Sequence, residues 1–454
     1  MSSKTLSILL LAQLMGGACA YADLPGPRPL GREIPAPHPP LESPEVLPSG
    51  PATTEPAGDL TLREALSLAL LQNPEIKAFA FEVRAREAAV LQAGLLPNPQ
   101  LGAIVENFGN NALQGFDSTA ITVQLSQLIE LGGKRAARTQ ATQLARDLAG
   151  WDYERERIKV LTATHNAYVE VLSAQGRTAL SKQVLDLAEN VTAAAAKRVK
   201  AGKVSPMEET KAGVATAAVR IDLTRAEREL EAARKHLAAA WGSTAPRFKR
   251  ALGVLEAVLP IPTLEQLIER LRRNPELARW ATEIAERQAV IGLEETRGIP
   301  DLTASFGVRR FEEPGDDALV VGISVPLPVF NRNQGAILEA QHRLAKAEEE
   351  RRAVEVRVAT ALSSAYQTLA GAHAEISALK AQILPGAQSA FEAASKGYRL
   401  GKFGLLDVLD AQRTLFGAKA QYLRALTDYH QSVAQVEGLI GERLEAVQTQ
   451  KESR

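Results

Sequence analysis

The chain has one cysteine, Cys19, in 454 residues. An intramolecular disulfide is excluded, and no cysteine cluster is available for zinc or an iron–sulfur centre. Aromatic residues make up only 5%, too few for a compact aromatic core or an aromatic-lined cofactor pocket. Net charge is also missing: 53 basic residues balance 53 acidic ones, so nothing points to nucleic acid. The six histidines, at positions 38, 165, 236, 342, 373 and 430, form no HxxxH or HxH pair, and metal-ligand spacing is absent. No nucleophile, base and acid make a catalytic constellation. The expectation is therefore a non-enzyme without cofactor or resident metal. After the first 22 residues no run of 18 apolar residues occurs, which excludes a transmembrane helix there. A transmembrane β-barrel stays open, because each of its strands leaves a weak signal.

What is present is a duplication. Asn73-Pro74-Glu75 recurs as Asn274-Pro275-Glu276, Pro99 as Pro300, Tyr168 as Tyr366 and Gly202-Lys203 as Gly401-Lys402. A repeat near 200 residues is far longer than a solenoid unit of roughly 20–50. It describes one architecture built from two large halves, at 59–242 and 263–440, joined by a linker at 243–262.

The N-terminus carries Lys4, an apolar run from Leu6 to Leu14 and then small residues, the pattern of a secretory signal over 1–22. Two processing routes are open. Ala20-Tyr21-Ala22 fits cleavage before Asp23; alternatively Cys19 becomes a lipidated N-terminus, although Gly16 stands where a lipobox usually has Leu. Residues 23–58 hold eleven of the 24 prolines and read as a disordered, extended arm. Residues 441–454 read as a frayed polar tail.

Each half gives the same element order. Thr61 is an N-cap for helical periodicity running to about Leu96, interrupted at Asn73-Pro74. Residues 99–107 and 118–128 alternate, with Ile121, Val123 and Leu125 on one face and Thr122, Gln124 and Ser126 on the other, which is a strand signature. From Lys134 to Lys200 proline is absent; a helix of that length reaches about 100 Å. Gly202 ends it in a left-handed C′ conformation, and Ser205-Pro206 starts the next helix, to about Trp241. The second half predicts a helix over 263–298, strands over 301–311 and 318–327, a helix over 334–400 kinked at Pro385, and a last helix over 405–440. Four strands cannot close a barrel, and an open edge is not left in lipid, so closure needs at least two chains.

Three motifs then carry a resemblance: Gln127-Leu128-Ile129-Glu130-Leu131-Gly132-Gly133-Lys134-Arg135 after the second strand, Val325-Pro326-Leu327-Pro328-Val329-Phe330-Asn331-Arg332-Asn333 after the fourth, and Leu406-Asp407-Val408-Leu409-Asp410-Ala411-Gln412 after the second Gly-Lys turn. With the repeat, the chain over about 59–440 resembles the TolC family of outer-membrane channel proteins. The first two motifs are most similar to the branch working with cobalt-zinc-cadmium type exporters. The resemblance implies a mainly α fold with a small β part: a homotrimer whose long helical hairpins form an α-barrel and whose four strands per chain complete a 12-stranded barrel in outer-membrane lipid. It also implies a periplasmic adaptor protein and an inner-membrane RND pump as partners, with export of divalent metal cations. Drug or organic-solute export is the alternative within that class, and a periplasmic structural coiled coil is the alternative outside it.

The resemblance places Asp407 and Asp410 at the periplasmic constriction; their i, i+3 spacing puts both on one helix face. The competing reading is that acids in a first helical turn merely offset the helix dipole. It implies a tip latch of acid, Tyr and Arg, matched here by Glu208 and Tyr398. Phe403 occupies the Arg position, and the adjacent Lys402 is the substitute. Tyr398 simply packing on a neighbouring coil is the alternative. Gly202 and Gly401 serve the turn geometry and, by resemblance, adaptor docking. Gly132-Gly133-Lys134 lacks the spacing of a phosphate loop and reads as a strand-to-helix corner.

Overall fold

The computed structural model describes residues 55–107, 119–271, 274–312 and 315–444. The signal segment with Cys19, most of the proline-rich arm, the loop at 108–118 and the tail from 445 lie outside the described residues.

The first half runs β1 (Asp59–Thr61), α1 (Leu62–Gln72), α2 (Pro74–Ala93), β2 (Gln100–Glu106), β3 (Ala120–Ile129), α3 (Lys134–Lys200) and α4 (Pro206–Ala239). After β4 (Arg250–Leu252), the second half runs α5 (Leu264–Arg270), α6 (Pro275–Arg297), β5 (Leu302–Phe311), β6 (Asp317–Ser324), α7 (Gln334–Ala378), a π-helical stretch (Leu379–Ile383), α8 (Leu384–Arg399) and α9 (Leu405–Ile440). The helix expected over 263–298 is broken, as its first-half counterpart is. Asn73 and Asn274 make the same corner for the same reason. Each caps the next helix, accepting from Ile76 N–H at 3.0 Å or from Glu276 N–H at 2.7 Å. Each also donates through Nδ2 to a distant carbonyl, Ala240 at 2.8 Å or Leu439 at 2.7 Å. Proline follows at N1, where its missing N–H costs nothing.

The expected kink at Pro385 is spread over the π-helical stretch that precedes it. Proline offers no N–H to the preceding turn, and the wider ladder absorbs the loss.

The 67 residues of α3 form one helix. No proline interrupts it, and its buried positions are mostly small, among them Ala141, Ala149, Ala167, Ala174, Ala188 and Ala195. Small side chains let neighbouring helices approach along the whole rod. α2, α4, α6 and α9 all pack on α3, while α7 packs on α6 and α9 and α8 packs on α9.

Strands β2-β3-β5-β6 form one antiparallel sheet in that order. One face bears exposed apolar residues, including Leu101, Leu319, Val321 and Ile323, each 72–74% exposed. The other carries Gln124, Ser126, Ser305, Gly307 and Arg309, and there Arg309 donates to Thr122 Oγ1 and Glu106 Oε2 at 2.8 and 2.7 Å. An exposed apolar face opposite a polar one is what a lipid-embedded sheet shows.

At mid-height β1 pairs with β4 in parallel, a small sheet that the pattern of residues does not announce. The Tyr168 hydroxyl donates between the carbonyls of Leu60 and Leu252, at 2.8 and 2.5 Å. Burial, with the Glu64 carboxylate nearby, pushes its pKa up to about 12. The arm expected to end at 58 joins the fold earlier. Glu55 accepts from Trp241 Nε1, at 3.1 Å, and from the backbone N–H of Arg247 and Phe248. The tail expected from 441 starts later, since Leu444 is buried and Glu442 pairs with Arg270 at 2.9 Å. Carboxylate and apolar anchors explain both shifts, because each residue has a specific partner on the fold.

Candidate functional site

The helical hairpins end in two turns of the same construction. In the first, the Gly202 N–H donates to Val199 O at 2.9 Å and the Lys203 N–H to Arg198 O at 3.0 Å. In the second, Gly401 donates to Tyr398 O at 3.0 Å and Lys402 to Gly397 O at 2.8 Å. This pair of bonds is the Schellman ending of a helix, with a left-handed residue at C′. Gly202 and Gly401 take φ of +64° and +76°, where a side chain is strained.

An apolar cluster of Val191, Ala195, Ala212, Ala394, Tyr398, Leu405 and Val408 joins the two hairpins just above their tips. Tyr398 is 3% exposed. Its hydroxyl donates to Glu208 Oε2 at 3.3 Å, so the acid of the first hairpin and the Tyr of the second are in contact. Burial raises the Tyr398 pKa, and the Glu208 charge adds to the rise. The phenol therefore stays protonated and remains a donor. Lys402 is exposed on its turn and its side chain is not part of this contact. Phe403 lies over Gly397 instead.

A different cation is present. The Arg198 guanidinium sits 4.3 Å from the centroid of the Tyr398 ring, and its Nη1 donates to Tyr398 O at 3.3 Å. Reading the residues in order missed it, because Arg198 is one of several basic residues in the last turn of α3. The available signal was the repeat itself: Arg198 stands where the second half has Gly397.

Asp407 and Asp410 share the exposed face of α9, opposite the buried Leu405, Val408 and Gln412. Asp407 Oδ2 accepts from the Gly404 N–H at 2.8 Å, so this carboxylate caps its own helix as the dipole reading expected. Asp410 pairs with Arg413 at 3.2 Å, on a side chain that is 85% exposed. Such an open pair is weak, and Arg413 is a second residue that motif reading overlooked. No group of three potential ligands that could hold a metal ion occurs among the described residues.

No helix of the described residues is long and apolar enough to cross a membrane. The family model for outer membrane efflux proteins matches residues 65–243 and 267–442, one match to each repeat. The chain is 38% identical over 387 residues to the cobalt-zinc-cadmium resistance protein CzcC of Cupriavidus metallidurans, covering 85% of this chain and 91% of that protein. It is 29% identical to the nickel and cobalt resistance protein CnrC of the same organism, over 68% of this chain and 73% of the relative. Among solved structures, CusC superposes with a TM-score of 0.71 at 17% identity, covering 84% of this chain and 92% of that one. The outer membrane protein VceC of Vibrio cholerae gives 0.70 at 18% identity, covering 84% and 96%.

Proposed function

Because this chain belongs to the outer membrane efflux protein family, we propose that it is the outer-membrane exit duct of a tripartite system expelling divalent heavy-metal cations. The observation behind the metal reading is the 38% identity with a cobalt-zinc-cadmium resistance protein across 85% of the chain. The sheet with its exposed apolar face sits in the outer membrane, and the long helices reach into the periplasm. Three copies close the sheet into a 12-stranded barrel and the helices into a tube, since β2 and β6 leave one open edge each in a single chain and lipid does not tolerate open edges. An adaptor protein meets the Gly202 and Gly401 turns, and an inner-membrane RND pump supplies the driving force. The duct itself performs no reaction.

At the periplasmic end, Asp407 and Asp410 of three copies form a constriction of six carboxylates, and rings of carboxylates favour cations. Glu208 and Tyr398 form the latch that holds the tip closed. Lys402, exposed on its turn, is left to meet a carboxylate of the neighbouring copy.

The direct test is deletion of the coding sequence followed by growth on cobalt, zinc, cadmium and nickel. Lower tolerance to one or more of these, restored by the intact gene, is expected. Unchanged metal tolerance with lost tolerance to organic solutes would move the reading to drug-type export.

A further inference from the structure

We infer that Arg198 is the cation of the tip latch, clamping the second hairpin onto the first through the face of Tyr398. This rests on the latch reading above and adds a positioning residue to it.

Three observations converge. First, Tyr398 is held on two sides by the first hairpin: Glu208 takes its hydroxyl at 3.3 Å, and Arg198 covers its ring at 4.3 Å and binds its carbonyl at 3.3 Å. A guanidinium over an aromatic face is attracted by the ring quadrupole, and the planar group can stack and donate at once. Second, the position of the second hairpin that corresponds to Arg198 carries no side chain, and the Phe403 ring occupies its place. A Cβ built at Gly397, the counterpart of Arg198, would lie 2.1 Å from the Phe403 ring. Phe403 thus fills the space of a side chain at 397, and the cation that meets Tyr398 comes from the first repeat. Third, Arg198 differs from its basic neighbours. Lys197 and Lys200 are exposed in the same last turn, where they suit the helix dipole, whereas Arg198 is half-buried and turned onto Tyr398. An offset of the dipole alone does not require that orientation.

Opening of the tip separates Tyr398 from both partners, so losing either raises the open population. The experiment is single-channel recording of the full-length protein in planar bilayers of stated lipid in potassium chloride, with trimer assembly checked by gel. Arg198→Met, which keeps bulk and removes charge, is expected to raise the open fraction about tenfold. Arg198→Lys restores most of the closure, because an ammonium still sits over the ring. Tyr398→Leu matches Arg198→Met, and the double variant opens no further. Arg399→Ala, removing an equal charge next to Tyr398 in sequence, leaves gating as it was. Arg198→Met gating like the native protein, or opening additively with Tyr398→Leu, overturns the inference. If Tyr398→Leu and Glu208→Gln also gate like the native protein, the latch reading itself falls. If those two open the channel and Arg198→Met does not, Arg198 alone is wrong.

Discussion

The two repeats share a corner, a sheet hairpin, a long rod and a Schellman turn, yet their rods are built differently. α3 is a single helix of 67 residues, with Asp186 where the second repeat has Pro385. Its counterpart is divided into α7, the π-helical stretch and α8, and the apolar cluster of the equatorial region stops at Leu379 before smaller clusters begin at Leu384. At the tips the first repeat contributes Arg198 and Glu208, and the second contributes Tyr398, Asp407 and Asp410. One copy is thus a continuous rod carrying the two groups that hold. The other is a jointed rod carrying the group that is held and the carboxylates. Duplication supplied equal frames, and the departures from equality gather in the second rod and at the two tips.

That contrast can be broken at its seam first. His165 of α3 is half-buried, and its pKa is lowered to about 4 chiefly by desolvation, with His430 and Arg443 adding repulsion. His430, across in α9, is lowered as well, mainly by burial. For His165 the folded value lies below the ordinary 6.5, so the unfolded chain binds the proton more readily. Stability is full above pH 6.5 and falls as pH drops toward 4, by about 3 kcal/mol for this group. The heat-dissociation temperature of the native protein should fall across that window, and His165→Gln should flatten the fall. An equally steep fall in His165→Gln would remove this histidine as the cause.

The carboxylates of the second tip come next. Asp407→Asn with Asp410→Asn is expected to lower the cation-to-anion permeability ratio several-fold, roughly a tenfold limit at low salt and less at high salt as screening grows. Reversal potentials in a salt gradient measure it. An unchanged ratio would leave Asp407 with its capping role only. The smallest effect concerns what the repeats share. Asn73→Ala and Asn274→Ala each remove a cap and a donor to a carbonyl distant in the same chain, costing about 1–2 kcal/mol apiece. Equal shifts in denaturant midpoint would support equivalence of the two corners, and a one-sided shift would break it.

Much of this was legible beforehand. The bounds of α3 followed from the missing proline and the glycine that ends it, and β3 followed from alternation between Ile121, Val123, Leu125 and their polar neighbours. The single helix expected over 263–298 missed the break at Asn274-Pro275, although the same dipeptide marks a break at Asn73-Pro74. β1 and β4 were not legible: three residues each give no alternation to read. Their pairing follows from Tyr168, whose hydroxyl reaches both strands.

The sequence by itself determined the repeat, the helix and strand content, the two turns and the exposed acids of α9, because those depend on neighbours within one or two turns of chain. Only the tertiary structure decided which basic residue meets Tyr398. Arg198 lies 200 positions away, and several other Lys and Arg residues crowd the same turns. Packing of one hairpin on the other selects among them, through burial and angle, and no local pattern encodes that choice.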